Sequence, residues 1–129
     1  MKVRHIGLVC SSEENSDRFY GEVLGLKKAE TRPLPLELAQ AVFEVDFESR
    51  MVNYMDDNVH FEIFIVPHQP VQSRPIAHVS LEVPDLAEFL ERCRLYEVTV
   101  RRIQRGEGYL TFVLDPDFNL FEIKEVKAG

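Results

Sequence analysis

VHFEIFIV, residues 59–66, is the stretch on which the fold turns. Bulky apolar side chains recur at Phe61, Ile63 and Ile65, the period of a β-strand with one face in a core. Glu62 then points to the other face, with His60 and Phe64. Residues 119–126, NLFEIKEV, repeat the pattern. Phe121 and Ile123 face inward, and Glu122 points away with Leu120 and Lys124.

Working outward, each of these strands has a histidine-bearing strand upstream. In KVRHIGLVC (2–10), alternation places Val3, His5, Gly7 and Val9 on one face and Arg4, Ile6 and Leu8 on the other. In IAHVSLEV (76–83), Val79 and Leu81 face the core, so His78 points away with Ser80. A slip of one residue would send all four polar groups into the core, so the assignment is sharply specified. Between them, SSEENSDRFYGEVLG reads as a helix capped by Ser11 or Ser12 and stopped at Gly25, with Phe19, Val23 and Leu24 as its stripe. LKKAETR reads as a strand ended by Pro33 and Pro35, Leu36–Glu44 as a short helix, and SRMVNYM as a strand. The second half has PDLAEFLERCRLY as a helix, then VTVRRIQ and GYLTFVLD as strands.

Strand–helix–strand–strand–strand therefore occurs twice. The His-to-Glu interval runs from 5 to 62 in the first half and from 78 to 122 in the second. The excess in the first is about the length of its extra helix and linker. The proline-rich PHQPVQSRP is the natural crossover. The expected organisation is one domain over 1–129, with a module at about 1–67, a linker at about 67–75 and a second module at about 76–129. The class is α+β: two tandem βαβββ modules forming a curved, mostly antiparallel sheet, helices on its convex side and the four polar groups on its concave side.

Composition limits the partners. Hydrophobic residues make up 45% of the chain, enough for a real core. The formal net charge of −7 argues against nucleic acid, which needs a positive face. No apolar run approaches the roughly 20 residues of a membrane span. No signal-peptide pattern opens the chain, and Cys10 and Cys93 lack CxxC spacing. They are expected to be reduced structural thiols in a cytoplasmic protein.

Two imidazoles and two carboxylates suit a hard-to-borderline divalent ion: Ni, Co, Zn, Mn or Fe(II). Gly7 and Ser80, each two residues after a histidine, are small enough to leave room for an ion and a substrate. Four protein ligands leave two positions open on an octahedral ion, which a bidentate oxygen ligand can fill. Such an ion acts as a Lewis acid on an enediolate or similar oxyanion.

HIGLV, FYxxVLGL from Phe19 to Leu26, HVSLEV and the closing DPDFNLFEI together resemble the vicinal-oxygen-chelate superfamily, which includes glyoxalase I, methylmalonyl-CoA epimerase and extradiol dioxygenases. The likeness covers nearly the whole chain, with Phe118 where the family's DPDG run has glycine. It implies paired modules closing a cup around a metal, with His5, Glu62, His78 and Glu122 on the four ligand positions. Glyoxalase I-like proteins match best, because their bacterial form carries His, Glu, His, Glu. The implied activity is a lyase or isomerase acting on a small α-hydroxycarbonyl or thioester, with Glu122 or Glu62 shuttling the proton. A homodimer is implied too. Leu8-Val9-Cys10 lacks the first-strand arginine that binds glutathione in glyoxalase I, which puts that substrate in doubt. The alternatives are an Fe(II) oxygenase of the extradiol type and a non-enzymatic binding protein of the antibiotic-resistance type.

Tyr54, Phe64, Tyr109 and Phe112 are candidates for an aromatic substrate wall. His60 shares a face with Glu62 but lies next to a turn, where a plain surface role is the simpler expectation. His68, in the linker, is expected to be exposed. Arg101, Arg102 and Arg105 are either a solvated strand edge or a clamp for a substrate carboxylate.

Overall fold

The computed structural model describes residues 2–67 and 76–126, and the chain divides into two compact units, Met1–Gln69 and Pro70–Gly129. His68 and most of the proline-rich linker lie outside the described residues. In the first unit, strand β1 is Ile6–Cys10, β2 Lys27–Lys28, β3 Arg32–Leu34, β4 Ser49–Met55 and β5 His60–Ile65. They form one sheet in the order β1-β5-β4-β2, with β3 also on β4. In the second unit, β6 is His78–Val83, β7 Thr99–Arg105, β8 Gly108–Leu114 and β9 Leu120–Glu125. These form a four-stranded sheet in the order β6-β9-β8-β7. The α+β class and the repeated order hold. Pairing is antiparallel except for β1 with β5 and β6 with β9, which are parallel.

Helix α1 (Glu13–Ser16) is capped by Ser12, whose side chain accepts from the Asn15 N–H at 3.2 Å. It runs on as a π-helical stretch over Asp17–Val23, in which the Leu24 N–H donates to the Phe19 carbonyl five residues back, at 2.9 Å. The wider turn brings Tyr20 into the core with Phe19 and Val23, while Leu24 is only half-buried. Tyr20 stacks on Tyr54 and lies against Phe61, both at 5.4 Å between ring centres. Gly25, at φ +73°, ends the helix in the left-handed conformation that glycine adopts without a Cβ penalty. Helix α2 (Leu36–Leu38) likewise continues as a π-helical stretch over Ala39–Phe43.

The LKKAETR segment is two short strands rather than one. Lys28 pairs with Tyr54 and Arg32 with Met51, so four steps on one strand meet three on the other. This is a bulge of one residue. Asn53 holds it: its side chain donates to the Glu30 carbonyl at 2.8 Å, and its own carbonyl accepts from the Ala29 N–H at 2.8 Å. Pro33 sits on β3, where its missing N–H costs no bond within the sheet's centre.

In the second unit, α3 (Leu86–Leu95) is capped by Asp85, whose Oδ1 accepts from the Glu88 N–H at 3.0 Å. Phe89 and Cys93 form its buried side, and Glu125 on β9 accepts from the Leu86 N–H at 2.7 Å. Cys10 and Cys93 are both buried thiols. Among the described residues, no helix is long and apolar enough to cross a membrane.

Candidate metal and substrate faces

The parallel pairings determine which polar side chains meet. In the first unit Gly7 stands opposite Glu62, so His5, two residues earlier, shares the face of Glu62. In the second unit Ser80 stands opposite Glu122, and His78 is again two residues earlier. The two halves thus present one histidine–glutamate offset in the same register.

Local contacts differ. His5 Nε2 lies 3.0 Å from Glu62 Oε2. Ligands to such ions bind at about 2.0–2.2 Å, so two of them at right angles stand about 3 Å apart. The His5–Glu62 spacing therefore matches one edge of a coordination shell. His78 Nδ1 lies 2.7 Å from the Ile76 carbonyl. A carbonyl only accepts, so Nδ1 carries a proton, and in the neutral ring the lone pair is then on Nε2, the form a metal takes. Glu122 is half-buried, with one oxygen 3.3 Å from the Lys124 ammonium. Both donor pairs fit a divalent ion by chemistry. Among the described residues no three His, Cys, Asp or Glu side chains gather as one cluster, and each unit supplies a pair.

The aromatic candidates divide. Phe64 is on the Glu62 face, opposite Met51, and the Phe43 ring packs edge-on against it at 5.5 Å. Phe112 is directly opposite Glu122, with its ring 6.1 Å from that of His78. Tyr54 is on the other face: it pairs with core-facing Phe61, is fully buried, and donates its hydroxyl to Asp17 at 2.8 Å. Burial, then the Asp17 carboxylate, holds its phenol well above the usual range. Tyr109 is three residues from Phe112 on the same strand, and an odd spacing puts it on the opposite face. It stacks there under the Arg102 guanidinium at 4.7 Å. Neither tyrosine can belong to a wall beside the glutamates. The space over Gly7 is partly filled, since a Cβ there would lie 3.4 Å from the Phe64 ring.

Three residues on these faces carry more than their sequence context suggested. His60 is half-buried, its Nε2 is 2.7 Å from Asn53 Oδ1, and its ring lies edge-on to His5 at 5.9 Å. Asn53 is directly opposite Glu62. Arg101 is opposite Phe112, so Ser80, Glu122, Phe112 and Arg101 form one row across the second sheet. The position of His60 in VHFEIFIV was a usable signal, because it alternates with Glu62. Asn53 offered none, because strand pairing alone brings it there.

Each βαβββ unit pairs its first strand in parallel with its last, and so sets a histidine, at or just before the first strand, on the same face as a glutamate of the last. The sequence profile of the Glyoxalase/Bleomycin resistance protein/Dioxygenase superfamily matches residues 2–123, and the chain belongs to that superfamily. Solved structures share the fold. A glyoxalase family protein from Enterococcus faecalis is 21% identical, with a TM-score of 0.72 and 95% of each chain covered. The fosfomycin resistance protein FosX from Listeria monocytogenes is 17% identical, with a TM-score of 0.73, covering 98% of this chain and 94% of its own. The trypanothione-dependent glyoxalase I of Leishmania major is 19% identical, with a TM-score of 0.69, covering 97% and 86%. No functionally curated protein matches the chain.

Proposed function

We propose that this chain is a divalent-metal-dependent, glyoxalase-like lyase or isomerase, with His5, Glu62, His78 and Glu122 as the protein ligands. The observation that carries it is the repeated register: in both sheets a histidine stands two residues before the parallel partner of a glutamate. A similar structure, a FosX variant from Listeria monocytogenes, was solved with Mn(II) and 1S,2S-dihydroxypropylphosphonic acid, which supports a divalent ion and a small oxygen-rich ligand. When bound, the ion supplies a Lewis acid for an oxyanion that develops on the substrate.

The residues of the chain do the rest. Glu122 or Glu62 takes the proton from the hydroxyl-bearing carbon beside a carbonyl and returns it to the former carbonyl carbon, while the hydroxyl proton passes to the former carbonyl oxygen, so atoms and charge balance over the cycle. Phe112 in the second unit, and the Phe64–Phe43 pair in the first, would each give the histidine–glutamate pair of its own sheet an apolar flank. Arg101, in the same cross-strand row as Glu122 and Phe112, favours a substrate with an acidic group. The absence of an arginine at Leu8-Val9-Cys10 favours a small acid over glutathione conjugates. The edge strands β7 and β3 leave pairing surfaces that suit a homodimer.

The test is elemental analysis of the purified protein, with solution mass measured on the same sample. Chelation should abolish exchange of substrate α-protons with solvent, and Ni(II) or Co(II) should restore it, in a protein that runs as a dimer. A protein that takes up neither ion overturns the proposal. Glu62→Gln separates it from an extradiol-type Fe(II) oxygenase, which uses two histidines and one glutamate. A substantial loss of metal affinity supports four ligands, and unchanged affinity supports the oxygenase.

A further inference from the structure

Four polar side chains share the ligand face of the first sheet: His5, His60, Glu62 and Asn53. Their hydrogen bonds have a determined direction. The Glu30 carbonyl can only accept, so the Asn53 atom that meets it is the NH2 group. The other end of that amide is therefore the oxygen, and it faces His60 Nε2 at 2.7 Å. An amide oxygen only accepts, so His60 carries its proton on Nε2. The orientation of the His60 ring is thus tied through Asn53 to the backbone at the bulge between β2 and β3. That ring stands level with His5, because Ile6 pairs with Phe61, and the two rings meet edge-on at 5.9 Å. His5 in turn directs Nε2 to Glu62.

We propose that Asn53 and His60 are positioning residues, which transmit the fixed geometry of the bulge to the His5 imidazole and hold its Nε2 toward Glu62. This rests on His5 and Glu62 being metal ligands, as proposed above. The physical reason is entropy. His5 precedes the first residue of β1 and is exposed, so its side chain has rotamers to lose when it binds. A neighbouring ring of fixed orientation removes those rotamers before the ion arrives. The second unit reaches the same end differently, by tying His78 Nδ1 to its own backbone at Ile76.

The experiment uses the full chain and Co(II), whose visible absorption reports ligand geometry. His60→Ala and Asn53→Leu should each weaken Co(II) binding about tenfold, in the range seen when partners behind metal ligands are removed. Both should alter the Co(II) spectrum. Their combination should cost little more than either alone, because the two residues act in series. His60 is half-buried on a sheet surface, so its removal leaves the core intact; Asn53→Asp, which keeps the acceptor for His60, covers the case in which Asn53→Leu does not fold. In the metal-free protein, imidazole ¹⁵N shifts should show the proton of His60 on Nε2. The His5 ring should give sharp signals that broaden or average in His60→Ala. Unchanged Co(II) affinity, spectrum and His5 signals in His60→Ala would overturn the inference while leaving the metal reading standing. A wild-type protein that takes up no Co(II) would overturn the metal reading, and the metal-free His5 signals would still decide whether the ring is held.

Discussion

The two sheets have one backbone plan and different surroundings for the same pair. Around Glu62 the cross-strand row is Gly7, Glu62 and Asn53, and it ends at the bulge. Around Glu122 it is Ser80, Glu122, Phe112 and Arg101. The first row is small and polar, anchored to main chain through Asn53. The second is apolar and then cationic. Under the proposed function, keeping the histidine–glutamate offset while changing its neighbours would divide labour: one half would order its ligands, and the other would present surface to a substrate.

That division can be broken at Arg101. Arg101→Met should raise KM about tenfold for acidic substrates, with kcat and metal affinity little changed, which is the pattern of lost uniform binding. An unchanged KM for acidic substrates would reduce Arg101 to a solvated edge-strand cation.

The turns offer a second contrast. Gly25 in the first unit and Phe118 in the second both adopt left-handed backbone, at φ +73° and +68°. Glycine does so freely, whereas a side chain at this conformation costs about 1–2 kcal/mol. Phe118 is held there by Asp115, which accepts N–H bonds from Asp117 and Asn119 at 2.9 and 2.8 Å. Its ring is 62% exposed and offsets little by burial. Phe118→Gly should therefore stabilise the protein by about 1 kcal/mol, read as a higher midpoint in thermal unfolding. A loss of stability would show that the ring packs against something in solution.

The smallest effect is alkaline. Burial pushes the Cys93 thiol up from 9.0 to about 11. The folded form therefore holds its proton where the unfolded chain has lost it. The stability this group contributes is present below about pH 9 and is lost as pH rises through about 11. Tyr54, raised by burial in the other unit, has the same sign. Denaturant midpoints measured from pH 8 to 11 should fall monotonically; Cys93→Ala should flatten the second unit's share of that slope.

Much of this was legible beforehand. Alternation placed Glu62, Glu122, His5 and His78 away from the core, because a strand's side chains alternate whatever it pairs with. The same rule, applied to Tyr109 and Phe112 three residues apart, already forbade both from one wall. Tyr54 was hidden by a different cause. Its strand, SRMVNYM, mixes polar and apolar positions on both faces, and only its pairing with Phe61 shows which side it takes. The single strand expected over LKKAETR failed because a bulge depends on a partner, here Asn53, some two dozen residues away in sequence.

The sequence by itself determined the duplicated βαβββ order, the faces of the four histidine and glutamate side chains, and the superfamily. These follow from local periodicity and from motifs. Only the tertiary structure decided that each histidine strand runs parallel and adjacent to its glutamate strand at the same offset. It also decided that Asn53 and His60 join the first pair while Phe112 and Arg101 flank the second glutamate. Strand pairing is a contact between distant segments, and no local pattern carries its register.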